Sequence, residues 1–216
     1  MDDRKKISFE VIKRLPRYYR YLGELAANNI TRISSKELSS RMNVTASQIR
    51  QDLNCFGGFG QQGYGYNVES LYKSVGEILG LYNGHKTILI GAGNLGRALV
   101  NYKSFEKRGF KVIGVFDNNP AKIGQTIGEQ TVLAFDEVDA FIRKNKPDIA
   151  ILAVPKAAAG DVATKVIALG IKGLLNFSYT DIDVPDGVEV ENVHISDSLM
   201  TLSYKIAQNQ EKEHNK

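Results

Sequence analysis

Cysteine is nearly absent from this 216-residue sequence: Cys55 is the single one. One thiol cannot close an internal disulfide, so burial must hold the fold, and the chain suits a reducing compartment. Long apolar runs are also missing. The longest, such as 88–90 and 149–154, fall far short of the roughly 20 residues that span a bilayer. The opening MDDRKKISFE carries charges with no apolar stretch behind them, which predicts no secretory leader and a cytoplasmic protein.

Catalytic residue types are sparse as well. There are three histidines, His85, His194 and His214. His85 precedes the first strand of the back half, at the wrong end of a sheet for catalysis, and His214 lies in the tail. His194 alone is placed to serve as a proton donor, which a dehydrogenase requires, and a surface or interface role suits it better. No Cys/His cluster has metal-ligand spacing. Tyr204 and Lys205 are adjacent on the last helix and so cannot share a face. Cys55 reads as an apolar structural residue beside Leu53 and Phe56 rather than a redox thiol.

What is present falls into two halves. Hydrophobic residues make up 43% of the chain, enough for packed cores. The net charge of +4 is uneven: residues 1–50 hold 11 Lys+Arg against 5 Asp+Glu, whereas residues 85–216 hold 16 of each. A basic front on a neutral back points to a polyanionic partner for the front or to a solvated basic surface, and charge alone does not choose.

The front half is helical. Ile12, Leu15, Tyr18, Tyr19, Leu22 and Leu25 recur at helical spacing, and Pro16 either starts a second helix or kinks one long one. Ser34 with Glu37, and Thr45 with Gln48, have capping-box spacing. They predict two short helices joined by a turn, a helix-turn-helix. The following GGFGQQGYGYNV has five glycines in nine positions and reads as a small hairpin. Helix, turn, helix and hairpin make a winged helix. VESLYKSVGEILGLYNG is then a linking helix ending near Gly84.

The back half alternates strand and helix: KTILI, FKVIGVFD, DIAILAV and IKGLLNF as strands, with NLGRALVNYKSF, FDEVDAFIRKN and AAAGDVATKVIALG as helices. This rhythm predicts a parallel α/β sheet covered on both faces. A last helix spans about 197–208, followed by a frayed tail. Domains of 1–84, 85–194 and 195–216 follow.

Between the first strand and helix stands Gly91-Ala92-Gly93-Asn94-Leu95-Gly96, the G-x-G-x-x-G fingerprint in its proper context. The first glycine permits the tight turn. The second admits a pyrophosphate, which then rests at the helix N-terminus. Asp117 ends the second strand, where a carboxylate binds a ribose hydroxyl and repels a 2′-phosphate; this favours NAD over NADP, with Lys122 nearby. Val154 and Pro155 after the third strand, and Asn176, Phe177 and Ser178 after the fourth, are positioned to line the crevice.

RLPRYYRYL (14–22), TASQIRQDLNCFGGFGQQGYGY (45–66), GAGNLGRAL (91–99) and NFS (176–178) together resemble the Rex family of bacterial redox-sensing transcriptional repressors, in the same order over nearly the whole chain. The resemblance implies a winged-helix domain, an NAD(H)-binding Rossmann domain and a homodimer whose C-terminal helix swaps between subunits. It also implies operator DNA bound when NADH is low and released when NADH rises, with the nucleotide as effector and not as hydride donor. The helix after Thr45 would then place Ser47, Gln48, Arg50 and Gln51 in the major groove. Arg14 would meet phosphate or bridge the domains, and Gln61, Gln62 and Tyr64 would form the wing. Family members often carry a basic residue in the wing turn and an arginine in the fingerprint; here these are Gln61-Gln62 and Asn94. A coupled tyrosine, arginine and acid are matched by Tyr102 and Arg20. His194 stands at the acid's position, and Asp197 follows nearly one turn later. Leu199, Leu202 and Ile206, with Met200 beside them, form a stripe on the last helix that would be buried in a swapped dimer or against its own sheet.

Three functions remain in play: a DNA-binding redox sensor, a small NAD-dependent oxidoreductase, and a DNA-binding regulator with another adenine nucleotide, such as CoA or ATP, as effector.

Overall fold

A computed structural model describes residues 7–42, 44–57, 59–61 and 64–214. The chain divides into two compact units, within residues 1–83 and 84–216.

In the first unit, α1 (Phe9–Ala27) runs unbroken through Pro16, so one long helix is formed rather than two. After β1 (Arg32–Ile33) come α2 (Ser35–Met42) and α3 (Ala46–Asn54). The start of α2 has the full reciprocal cap: Glu37 N–H donates to Ser34 Oγ, and Ser34 N–H to Glu37 Oε2. At α3 only half the box forms. Thr45 Oγ1 accepts the Gln48 N–H at 3.1 Å, while the Gln48 side chain turns to Asp52 instead. The hairpin is real, with β2 (Gly60–Gln61) antiparallel to β3 (Gly65–Asn67). β1 adds to its other side, a two-residue strand too short to show an alternating pattern. α4 (Val68–Ile78) stops well before Gly84. Gly80, at φ 69°, closes it: the Leu81 N–H bonds back to Gly76 O and the Gly80 N–H to Glu77 O, the pattern of a Schellman cap. One core joins these pieces, with Leu15, Tyr18 and Leu22 of α1 packed with Leu38, Ile49, Leu53 and Leu71.

The second unit runs β4 (His85–Ile90), α5 (Asn94–Val100), β5 (Phe110–Asp117), β6 (Thr126–Ile127), β7 (Gln130–Ala134), α6 (Val138–Asn145), β8 (Ile149–Leu152), α7 (Lys156–Ala168), β9 (Gly173–Asn176), β10 (Glu189–Asn192) and α8 (Ile195–His214). The sheet order is β10-β9-β8-β4-β5-β7-β6, parallel throughout except for the β6–β7 hairpin. Counting the six parallel strands from β4, this is the Rossmann order, and it reverses between β4 and β8. Ile88, Ile90, Ala150 and Leu152 face one side of the sheet; Leu89, Val115 and Ile151 face the other. Strands buried on both faces need no polar alternation, so they read as continuous apolar runs.

Four parts of this unit differ from the sequence-based expectation. The β6–β7 hairpin and β10 were not expected. α5 ends at Val100, and 101–109 form turns with a short 3-10 segment at Glu106–Arg108. α8 continues through the stretch expected to fray. Its apolar stripe does not pack on its own sheet: Leu199, Leu202 and Ile206 are each more than half exposed. Among the described residues no helix is long and apolar enough to cross a membrane.

Candidate nucleotide cleft and nucleic-acid face

The fingerprint turn sits where the sheet order reverses. Gly91 takes φ 103°, and a Cβ there would lie 2.3 Å from Ala153 O, so only glycine fits between β4 and the end of β8. A Cβ on Gly96 would lie 1.9 Å from Gly91 O; its absence lets α5 approach the turn. Gly93 is different: a Cβ there would meet nothing within 4 Å. It faces a cleft of about 480 Å³ bordered by Leu95, Asp117, Lys122, Val154, Pro155 and Phe177. The division of labour is one glycine to turn, one to open space and one to pack, which is what close approach of a pyrophosphate requires.

Asp117 is buried and thoroughly occupied. Its Oδ2 accepts the Ala92 N–H at 2.7 Å and the Lys122 ammonium at 3.0 Å, and its Oδ1 accepts the Asn119 N–H at 2.8 Å. Burial alone would raise its pKa. The Asn119 N–H, Lys122 and the Ala92 N–H outweigh that and hold it below the usual carboxylate range. The carboxylate therefore pins the glycine turn, with one acceptor position left of about four. Lys122 is placed on Asp117 rather than standing free in the cleft.

The expected wall after β9 splits. Phe177 lines the cleft. Asn176 and Ser178 are fully or nearly fully buried and bonded to each other, so they hold the turn that presents Phe177 and do not themselves face the cleft. The reason is the pleat: neighbours on a strand end point to opposite sides.

In the first unit Ser47, Arg50 and Gln51 are exposed on α3, and the Arg50 Nη1 donates to Ser35 Oγ at 3.0 Å. Arg14 and Gln48 point elsewhere than straight out from the helix surface. Both are turned to Asp52, a buried acid on α3. Arg14 gives it a two-pronged ion pair, with Nε at 2.7 Å from Oδ2 and Nη2 at 2.8 Å from Oδ1. Tyr18 OH and Gln48 Nε2 each donate at 2.8 Å. Burial pushes the Asp52 pKa up, but the bonds from Arg14, Gln48 and Tyr18 hold it low; burial and the Asp52 contact push the Tyr18 phenol up. A signal for this was present: Arg14 and Tyr18 lie four apart on the buried stripe of α1, and Asp52 shares a face with Ile49. In the wing, Tyr64 is exposed, with Arg32 over its ring and the Arg32 Nη1 on its carbonyl. Gln61 lies in β2, and Gln62 is outside the described residues. Cys55 is exposed rather than packed among apolar neighbours.

The four switch candidates divide between the units. Arg20 is exposed on α1; Tyr102 follows α5 and is packed edge-on against Phe105. His194 immediately precedes α8, with Nε2 3.1 Å from Asp181 Oδ1 and its ring edge-on to Tyr179; Asp197 lies in the first turn of α8.

Residues 6–54 match a family model described as a putative DNA-binding protein N-terminus, and residues 83–180 one described as a CoA binding domain. The redox-sensing transcriptional repressor Rex of Thermoanaerobacter pseudethanolicus is 56% identical over 206 residues, 95% of this chain and 92% of the relative. The Clostridium perfringens (strain SM101) Rex is 52% identical, covering 97% of this chain and 99% of its own. The chain belongs to the Rex family of redox-sensing transcriptional repressors. The relatives are transcriptional regulators, not enzymes. Two solved structures agree along nearly the full length. One, of RSP in complex with β-NAD+ and operator DNA, matches at TM-score 0.89 and 54% identity, covering 97% of both chains. The other, of RSP in complex with β-NADH, matches at TM-score 0.90 and 51% identity, covering 98% of this chain and all of that one.

Proposed function

We propose that this chain is a cytoplasmic, homodimeric repressor that binds operator DNA when NADH is low and leaves it when NADH rises. The observation that carries the reading is the end-to-end match to a Rex-family repressor that binds both NAD+ and operator DNA. Residues 1–84 act as the winged-helix DNA-binding head, 85–194 as the nucleotide domain and 195–216 as the dimerisation element. In the head, Ser47, Arg50 and Gln51 read DNA from the exposed side of α3, and Gln61, Gln62 and Tyr64 supply the wing. Arg14 and Gln48 serve by fixing α3 through Asp52. In the cleft, Gly93 admits the pyrophosphate; Ala92, Asn94 and Leu95 belong to the same turn, and Asp117 offers its remaining acceptor position to a ribose hydroxyl. NADH acts as effector, and no step asks it to give up hydride. The exposed stripe of α8 is covered by a second copy of the chain, and Arg20, Tyr102, His194 and Asp197 lie at the contacts that change between the two dimer arrangements.

An effector shifts such an equilibrium only by its differential affinity for the two arrangements. The test is operator binding by fluorescence anisotropy at fixed salt, titrated separately with NADH, NAD+ and CoA. Release by NADH at concentrations where NAD+ has little effect is the expected result. Release by CoA instead, in keeping with the description of the matched family at 83–180, would transfer the sensor to another adenine nucleotide. Absence of specific DNA binding would sink the repressor reading.

Asp117→Ala removes the acceptor of Ala92, Asn119 and Lys122 together. Leaving such donors unpaired costs about 1–3 kcal/mol, so NADH affinity is expected to fall roughly 10- to 100-fold while operator affinity without nucleotide is kept. Calorimetric titration with NADH checks this; parent-like affinity would show that the turn needs no pin.

A further inference from the structure

We infer that Asn176 and Asn192 form a positioning relay joining the nucleotide cleft to the root of α8, an inference that rests on the sensor reading above. Phe177 is a wall of the cleft, and its N–H donates to Leu152 O at 2.9 Å, at the end of β8. Its neighbour Asn176 is wholly buried, and every hydrogen-bonding position of its amide is used. Oδ1 accepts the Ser178 N–H at 3.0 Å and the Ser178 hydroxyl at 2.5 Å. Nδ2 donates to Thr180 O and to Asn192 Oδ1, each at 2.7 Å. The backbone fixes this orientation: a peptide N–H requires an oxygen opposite it, and a peptide carbonyl requires the NH2. The atom that Asn192 turns to Asn176 is therefore an acceptor.

Asn192 is the last residue of β10, and the following Val193 N–H donates to Asn176 O at 2.8 Å. His194 comes next, held by Asp181 and Tyr179, which flank the Thr180 carbonyl that Asn176 also holds. One buried amide thus touches the turn presenting Phe177, the turn presenting Tyr179 and Asp181, and the strand that enters α8. Three of its side-chain bonds are local, within four residues; the bond to Asn192 spans 16. A ligand that displaces Phe177 leaves the local bonds intact and loads the long one. Because the apolar stripe of α8 is exposed in its own chain, the direction of the helix is set at its root. The relay makes that direction depend on the cleft.

The experiment compares the parent protein with Asn192→Ala and Asn192→Asp. Each is assayed for NADH affinity, operator affinity without nucleotide, and operator affinity at saturating NADH. Asn192→Ala leaves Thr180 as an acceptor for Asn176, so the fold survives. Allosteric coupling typically amounts to a factor of about 5–150. In Asn192→Ala that factor is expected to collapse to within about twofold of unity, with the two single-ligand affinities within about threefold of the parent. Asn192→Asp keeps an oxygen opposite the Asn176 NH2 and restores the coupling. The relay is overturned if Asn192→Ala keeps the parent factor, if Asn192→Asp loses it equally, or if Asn192→Ala loses NADH affinity itself. A parent protein whose operator binding ignores NADH overturns the sensor reading, and the relay with it.

Discussion

Asp52→Ala is expected to destabilise the DNA-binding head by about 3 kcal/mol and to abolish operator binding at 37 °C while NADH binding persists. Asp52 is the common acceptor of Arg14, Tyr18 and Gln48. Removing it strands the Tyr18 hydroxyl in a wholly buried position and leaves a cation without its partner. Breaking a buried pair from one side costs about 3–5 kcal/mol. The lower end applies because the Arg14 side chain is 27% exposed and regains some water. In a domain of 60–100 residues each kcal/mol is worth about 4–8 °C of melting temperature, so the head melts roughly 12–24 °C lower. Thermal melting followed by tyrosine fluorescence, with NADH binding as the control for the second unit, checks this. A double change, Arg14→Met with Asp52→Leu, removes both charges together and is expected to recover much of the loss. A head that melts like the parent in Asp52→Ala would show that α3 is held by packing alone.

The same group sets the acid limit of the head. The pKa of Asp52 is lower in the folded protein than its unfolded value of about 3.9. Its contribution is therefore complete above pH ~4 and is lost as pH falls through the lower folded value. Between neutral and pH 5 the head is expected to show no change from this network, and operator binding that decays in that range must have another cause.

Much of this was legible in the sequence because it is written locally. The glycine fingerprint, the capping residues Ser34 and Thr45, and the apolar runs of β4, β5 and β8 each depend on a few neighbouring residues. What escaped depends on partners far along the chain. The spacing of Asp52 from Ile49 puts it on the inner face of α3, but its partner Arg14 stands 38 positions away on α1, which no local pattern names. Position alone puts Asn176 and Ser178 in the crevice, but alternation along a strand end sends Phe177 one way and its neighbours the other. β6 and β10 escaped for a different reason: at the two edges of the sheet, short strands need little apolar character. The residue at the root of α8, His194, was located by spacing; that it meets Asp181 and Tyr179 was not, since those come from a loop with no periodic signal.

Gly93 and Gly96 separate folding from binding within one turn. In Gly96→Ala the new Cβ lies 1.9 Å from the carbonyl oxygen of Gly91. Neither side can rotate away, because both are backbone, so α5 must retreat from β4. Overpacking of this kind costs about 1–3 kcal/mol, and a backbone clash belongs at the top of that range. Gly96→Ala is expected to lose both stability and NADH binding. In Gly93→Ala the Cβ meets no protein atom within 4 Å and φ is −75°, which any residue adopts. Stability should change by less than about 0.5 kcal/mol. Yet the methyl group stands in the space through which a pyrophosphate reaches the backbone. NADH affinity is expected to fall roughly 10- to 100-fold, the equivalent of about 1.4–2.8 kcal/mol, and Gly93→Val more. Operator release from Gly93→Ala then needs roughly 10- to 100-fold more NADH, while binding without nucleotide stays as tight as in the parent, because the head is untouched. Melting curves and NADH titrations on the two variants decide the matter. Parent-like NADH affinity in Gly93→Ala would mean that the phosphates do not pass over this turn, and the open face at Gly93 would need a different ligand.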